Sequence, residues 1–192
     1  MHDLHTKPAH EPFSPMAVFS HIYPLDEFYA QSGKPLPAIG RVKSDEMPEP
    51  YRSLLVHESD MTPTLEKHHG GEIHIRVLSR HNFENEYFRK VVLLLNGSEK
   101  PVEYGAIKIV LDLFPHDAQQ EILKEHRPLG TILRDYKIPH GSRPSSYLTV
   151  AADEEIGAAL KLTGTPTLYG RRNTLVDPWD RPLAEIVEIL PP

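Results

Sequence analysis

The sequence has no cysteine among its 192 residues, and positive charge is scarce. Without cysteine, the chain cannot form disulfides, thiolate zinc sites, iron–sulfur clusters or a thiol nucleophile. The 21 lysines and arginines are outnumbered by 27 aspartates and glutamates, which gives a formal net charge of −6. Nonspecific nucleic-acid binding needs a basic surface, so nucleic acid is not expected as a partner. Apolar runs fall short of the roughly 18 residues that cross a bilayer, so no membrane segment is expected either.

Proline, in contrast, is abundant, and its distribution divides the chain. Eight of the 19 prolines fall within residues 1–50. Proline lacks a backbone donor and restricts the residue before it. Residues 1–50 are therefore predicted to form an irregular arm, rich in Pro and His, with a short helix near Asp26–Ala30. The arm shows no apolar signal segment, so a cytoplasmic location is expected. The length of residues 51–192 suits one compact domain.

The hydrophobic pattern of this domain alternates between strand and helix periods. Six β-branched or alternating stretches predict strands, at 72–78, 87–95, 102–113, 146–152, 167–176 and 183–190. Helical spacing is predicted at 51–69 with a break at Thr62-Pro63, at 117–134 with a break at Pro128, and at 153–161. Strands that follow one another through short turns pair antiparallel. The sequence therefore predicts an α+β fold, a single antiparallel sheet of about six strands with helices packed on one face.

Metal and cofactor motifs are missing from the sequence, although it contains 12 histidines. His68 and His69 are adjacent on a predicted helix, where neighbouring side chains point about 100° apart and cannot easily share a metal. No HExxH, GxSxG, GxGxxG or P-loop motif occurs. The sequence therefore predicts no metal site and no cofactor.

Four lone charges interrupt apolar strands: Arg89, Arg171, Arg172 and Glu188. A buried charge costs several kcal/mol unless it is paired or ligated. Two interpretations stay open. Each charge is an ordinary ion pair or strand end, or a guanidinium and a carboxylate flank a cavity that binds an anionic ring.

Five short motifs lie between residues 51 and 191. They are LLVHESDMT at 54–62, YFR at 87–89, RPLG at 127–130, LYGRR at 168–172, and RPL at 181–183 leading to EILP at 188–191. In this order they resemble the chorismate lyase (chorismate–pyruvate lyase) family. The LYGRR stretch and the last strand ending in Leu-Pro are the most specific.

The resemblance implies a cofactor-independent carbon–oxygen lyase that eliminates pyruvate from chorismate to give 4-hydroxybenzoate. Ubiquinone biosynthesis is one pathway that such a product feeds. The family encloses its ligand between the sheet and helical flaps. By position, Arg89 would hold the ring carboxylate, and Glu188 would act as general acid at the reacting oxygens. Met61 and Leu129 would line the pocket, and the alternative for both is simple core packing.

The remaining predicted site residues carry alternatives. Arg171 or Arg172 would bind the second carboxylate of the substrate, or both are surface charges. Glu185 competes with Glu188 for the catalytic position, because the last strand is one residue longer than the family pattern. The two glutamates are three positions apart and face opposite sides of the strand, so only one can point into the pocket.

Two other functions stay open beside the lyase. One is a non-catalytic domain of the same fold that binds a small aromatic acid, like the sensing domains of bacterial transcription regulators. Those domains follow a helix-turn-helix, and residues 1–50 are too rich in proline to form one. The other is a related lyase with a different substrate, since the arm and the His68-His69 loop have no counterpart in the family. In each case the partner is a small molecule, and the chain is expected to be a monomer or a small homo-oligomer.

Overall fold

All strands belong to one antiparallel sheet. The computed structural model describes residues 20–192, so the first 19 residues of the predicted arm lie outside the described part of the chain. The strands are β1 (Ile39–Val42), β2 (Ile73–Phe83), β3 (Glu86–Leu95), β4 (Pro101–Val110), β5 (Gly141–Ala151), β6 (Thr167–Val176) and β7 (Pro182–Leu190). Their order across the sheet is β1-β5-β6-β7-β4-β3-β2. The predicted α+β class and single antiparallel sheet are confirmed, with seven strands in place of six.

The additional strand, β1, lies in the proline-rich segment. It spans only four residues and pairs with β5 at the edge of the sheet, where Ile39 faces Val150. Pro35 and Pro37 lie four and two residues before its first residue. Short edge strands tolerate neighbouring prolines, because one side of the strand makes no ladder hydrogen bonds. The high proline content therefore led to the prediction of an irregular arm, in which this strand was missed.

Within the described residues 20–192, six α-helices cover the sheet, namely α1 (Leu25–Ser32), α2 (Tyr51–Leu55), α3 (Met61–His69), α4 (His116–Leu123), α5 (Leu129–Asp135) and α6 (Glu154–Ala159). Four of them, α2 to α5, pack on one face, as predicted. The short helices α1 and α6 pack on the opposite face. None of the helices in residues 20–192 is long and apolar enough to cross a membrane.

The helix boundaries follow local signals in the sequence. Helix α3 ends at Gly70, whose φ of 69° lies in the left-handed region that glycine adopts readily. Asp153 caps α6, because its Oδ1 accepts a hydrogen bond from the Ile156 amide at 2.8 Å. Asp60 occupies the N-cap position of α3, but its side chain makes no cap bond. Its carboxylate accepts from His140 Nε2 at 3.0 Å instead, which ties the start of α3 to the segment before β5.

The alternation of the central strands separates the two faces. On β3, Phe88 and Val92 belong to the core beneath α1 and α6, whereas Val91 and Leu93 belong to the core beneath α2 and α3. Polar residues interrupt this second face at the sheet centre, and their side chains are buried: Arg89, Glu103, Arg171, Asn173 and Glu188. Such a concentration of buried polar groups marks a place where packing is not the only requirement.

Candidate functional site

A cavity separates the sheet from the first turns of α3 and α5. It measures about 560 Å³, including its opening to solvent. Met61 and Leu129, the first residues of the two helices, both line it and are 5% exposed. The floor comes from the central strands, with Val91 on β3, Ile107 on β4 and Ile186 on β7. The mostly apolar lining suits a small organic molecule.

Arg89 lines this cavity without an acidic partner. Its side chain is buried, with only 2% of the residue exposed. The Nη atoms donate long hydrogen bonds of 3.4 and 3.5 Å to the carbonyls of Ile122 and Arg127, and Nε has no hydrogen-bond partner. Within residues 20–192 no carboxylate forms an ion pair with it. Burial lowers the pKa of Arg89, whereas the nearby Tyr87 and Glu125 oppose this shift.

Glu188 also lines the cavity, and its charge is compensated within the fold. It is 3% exposed and accepts a hydrogen bond from Arg171 Nε. The two residues are register partners on adjacent strands β7 and β6. The structure therefore brings Met61, Arg89, Leu129 and Glu188 to one cavity.

Arg171 has a different position from the one the sequence suggested. It does not line the cavity. Its guanidinium donates to the carbonyls of Leu55 at 3.2 Å, His57 at 3.0 Å and Ser59 at 3.2 Å. These carbonyls belong to the end of α2 and the loop before α3. Arg171 therefore holds the helical cover against the sheet and is a positioning residue.

Arg172 and Glu185 lie on the opposite face of the sheet. Arg172 Nη2 donates to Glu185 Oε1 at 2.7 Å, and Lys108 Nζ lies 2.7 Å from the other oxygen of the same carboxylate. The strand alternation explains this placement, since Arg172 follows Arg171 and Glu185 is three residues from Glu188. Of the two rival glutamates, Glu188 faces the cavity.

Glu103 is a cavity residue that the sequence interpretation missed. It is 4% exposed, and its Oε2 has no hydrogen-bond partner among the described residues. Burial and the neighbouring Glu188 raise its pKa well above the ordinary range, and Arg171 opposes this shift. The signal was the one that identified Arg89 and Glu188, a lone charge in an apolar strand, here in PVEYGAIKI at 101–109.

Asn173 and the Asp60–His140 pair complete the polar groups near the cavity. Asn173 lines its β6 side and donates through Nδ2 to Ser142 Oγ at 2.9 Å. Asp60 lies at the first turn of α3, and its carboxylate raises the pKa of His140. Within residues 20–192 no group of three or more His, Asp or Glu side chains is arranged to hold a metal, and His68 and His69 stack edge to face at 4.7 Å.

Known structures resemble this chain in fold, whereas no protein-family model and no curated protein matches its sequence. The chain is similar to PhnF from Mycobacterium smegmatis, with 12% identity and a TM-score of 0.51 over 71% of this chain and 65% of that one. It is similar to the effector domain of PhnF with 13% identity and a TM-score of 0.51, over 68% and 87%. A GntR-family transcriptional regulator from Enterococcus faecalis matches with 13% identity and a TM-score of 0.42, over 60% and 91%.

The chain therefore shares its fold with PhnF and with the effector domain of PhnF. The prediction of an enzyme is wrong, because the structure to which the fold is similar is an effector domain. The physical reason is that an arginine for a carboxylate and an enclosed apolar cavity serve binding as well as catalysis.

Proposed function

We propose that this chain contains a non-catalytic ligand-binding domain that senses a small aromatic or cyclic carboxylic acid. Residues 51–192 are the proposed unit, since every cavity-lining residue falls between Asp60 and Glu188. Residues 1–50 are the proposed arm. The observation that carries the proposal is the buried guanidinium of Arg89, which lines an apolar cavity without an acidic partner.

The charges in the cavity favour a carboxylate as the ligand group. Arg171 and Glu188 neutralise each other, so Arg89 leaves one positive charge uncompensated. Holding an ion away from water without a partner costs several kcal/mol, and a carboxylate supplied by the ligand would offset that cost. A guanidinium also binds a carboxylate through two parallel hydrogen bonds.

The rest of the lining favours a flat apolar body. Met61, Leu129, Val91 and Ile107 surround the space above Arg89. An aromatic or cyclic ring would remove this apolar surface from water together with its own. The combination of one cation with apolar walls selects a ring that carries a carboxylate.

Titration of the protein with benzoate, followed by calorimetry, tests this function. Wild type is expected to bind benzoate, and Arg89→Met to bind it at least about 100-fold more weakly, as the roughly 3 kcal/mol of a buried unpaired carboxylate implies. Arg76→Met is the matched control, because Arg76 is 54% exposed on β2 and is paired with Glu99. Equal benzoate affinity in wild type and Arg89→Met would contradict the proposal.

Thermal unfolding of the same variants separates a binding role from a structural one. Since Arg89 has no acidic partner, Arg89→Met is expected to be at least as stable as wild type. A loss of several degrees would instead assign the guanidinium to the fold. Incubation with chorismate completes the test, because a non-catalytic domain leaves chorismate intact, and release of pyruvate would contradict this role.

A further inference from the structure

The end of the cavity away from Arg89 contains a second buried charged residue, Glu103, whose Oε2 has no hydrogen-bond partner within residues 20–192. Glu103 lies on β4 opposite Leu93, four residues along β3 from Arg89. Four residues of strand span about 13 Å. Both side chains line the same cavity. A ligand that spans the cavity would therefore contact the Arg89 guanidinium at one end and the Glu103 carboxyl group at the other.

The geometry of β4 makes room for this carboxyl group. Gly105 is its neighbour on the same face, and a Cβ added to Gly105 would lie 3.1 Å from Glu103 Oε1. Gly105 is also the register partner of Glu188 on β7. The Glu103 side chain therefore extends over the glycine toward Glu188, and a larger residue at 105 would displace it.

The charges around Glu103 favour its neutral form. Glu188 already uses the Arg171 guanidinium through a direct hydrogen bond, and no group among the described residues donates to Glu103 Oε2. Two carboxylates this deep cannot both ionise beside one guanidinium. The pKa of Glu103 is raised by burial and by Glu188 accordingly. The other charged groups that line the cavity are Arg89 and Asp60, and Asp60 is paired with His140.

We infer that Glu103 is a neutral hydrogen-bond donor that selects ligands with one carboxylate and an uncharged acceptor oxygen at the opposite end of the ring. This inference rests on the proposed function, since it needs the carboxylate at Arg89. When Glu188 is counted with Arg171 and Asp60 with a protonated His140, the cavity then holds one net positive charge, which one carboxylate neutralises. A second carboxylate would meet Glu188 and an acid that has no free cation beside it, so dianions are rejected.

Four para-substituted probes measure this preference. They are benzoate, 4-acetylbenzoate, 4-isopropylbenzoate and terephthalate. The acetyl and isopropyl groups have nearly the same shape, but only acetyl accepts a hydrogen bond. Wild type is expected to bind 4-acetylbenzoate at least about fivefold more tightly than 4-isopropylbenzoate, and about tenfold more tightly than terephthalate near pH 7.5.

Two substitutions at Glu103 test its role. Glu103→Leu removes the donor and keeps the residue apolar, so the acetyl preference is expected to fall to about one or to reverse. Glu103→Gln keeps a neutral donor, so the preference is expected to persist and the benzoate affinity to stay within about threefold of wild type. Thermal unfolding checks that both variants fold, and the Gln variant keeps the test valid if the Leu variant does not.

Three results would overturn the inference. The first is an acetyl preference that survives in Glu103→Leu, and the second is a wild type without any acetyl preference. The third is a Glu103→Gln variant that binds benzoate about tenfold more tightly than wild type, because an ionised carboxylate had then been removed. If benzoate binding nevertheless depends on Arg89, only the role of Glu103 fails. If wild type binds none of the probes, the proposed function fails as well.

Discussion

The contact between Arg171 and Glu188 gives a quantitative prediction for stability. Arg171 is 0% exposed, and besides Glu188 it donates to three carbonyls of the segment that leads into α3. Arg171→Met leaves Glu188 buried without its cation and leaves the three carbonyls without their donor. Breaking a buried ion pair from one side costs about 3–5 kcal/mol. The lost carbonyl contacts add to this, so we expect the upper half of that range.

Urea unfolding followed by circular dichroism measures this loss. The matched control is Arg143→Met, because Arg143 forms an ion pair with Asp180 in which both side chains are well exposed, at 59% and 71%. An exposed pair contributes little, so the free energy of unfolding of the control should change by less than about 1 kcal/mol. The double variant Arg171→Met/Glu188→Leu should be more stable than Arg171→Met alone, because no unpaired carboxylate remains. If Arg171→Met unfolds within about 1 kcal/mol of wild type, the guanidinium does not hold the helical cover.

Two further predictions concern the cover of the cavity. A Cβ at Gly130 would lie 3.0 Å from Thr62 Oγ1, so Gly130→Ala should separate α5 from α3 and weaken benzoate binding several-fold. A Cβ at Gly157 would meet nothing within 4 Å, so the control Gly157→Ala should stabilise α6 slightly. Calorimetry and thermal unfolding measure both, and equal binding by the two variants would contradict the close contact. Asp60 raises the pKa of His140 above 6.5, so the stability that the pair contributes is complete below that pH and is lost as the pH rises through the folded-state pKa. Wild type should therefore exceed His140→Gln in unfolding free energy more at about pH 6 than at about pH 8.5, and a constant difference would refute this.

The strand periods made much of the fold and part of the site predictable. Because side chains alternate along a strand, the spacing between Glu185 and Glu188 required that they face opposite sides, and the structure shows which one faces the cavity. The break predicted at Pro128 located the start of α5, whereas the break predicted at Thr62-Pro63 falls inside α3, and α2 and α3 are separated at residues 56–60 instead. Strand β1 was not predicted, because its four residues are too few to show an alternating pattern and prolines lie close before them.

The rest of the site depends on contacts between distant segments. Arg171 donates to carbonyls about 112–116 residues away in the chain. No pattern in the sequence around Arg171 indicates that its guanidinium would bind backbone carbonyls of another segment. The raised pKa of Glu103 likewise depends on Glu188, which lies on the neighbouring strand β7. The sequence of β4 alone does not indicate this neighbour. The sequence motifs could not distinguish a lyase from a binding domain, because the same side chains bind a carboxylate in both.

The central claim is that Arg89 receives the carboxylate of the ligand inside the apolar cavity. A crystal structure of the protein grown with 4-acetylbenzoate tests it most directly. The account predicts the carboxylate oxygens at about 2.7–2.9 Å from the Arg89 guanidinium, with the ring beneath Met61 and Leu129. A carboxylate bound outside the cavity, or in it with the acetyl group against Arg89, would contradict the account.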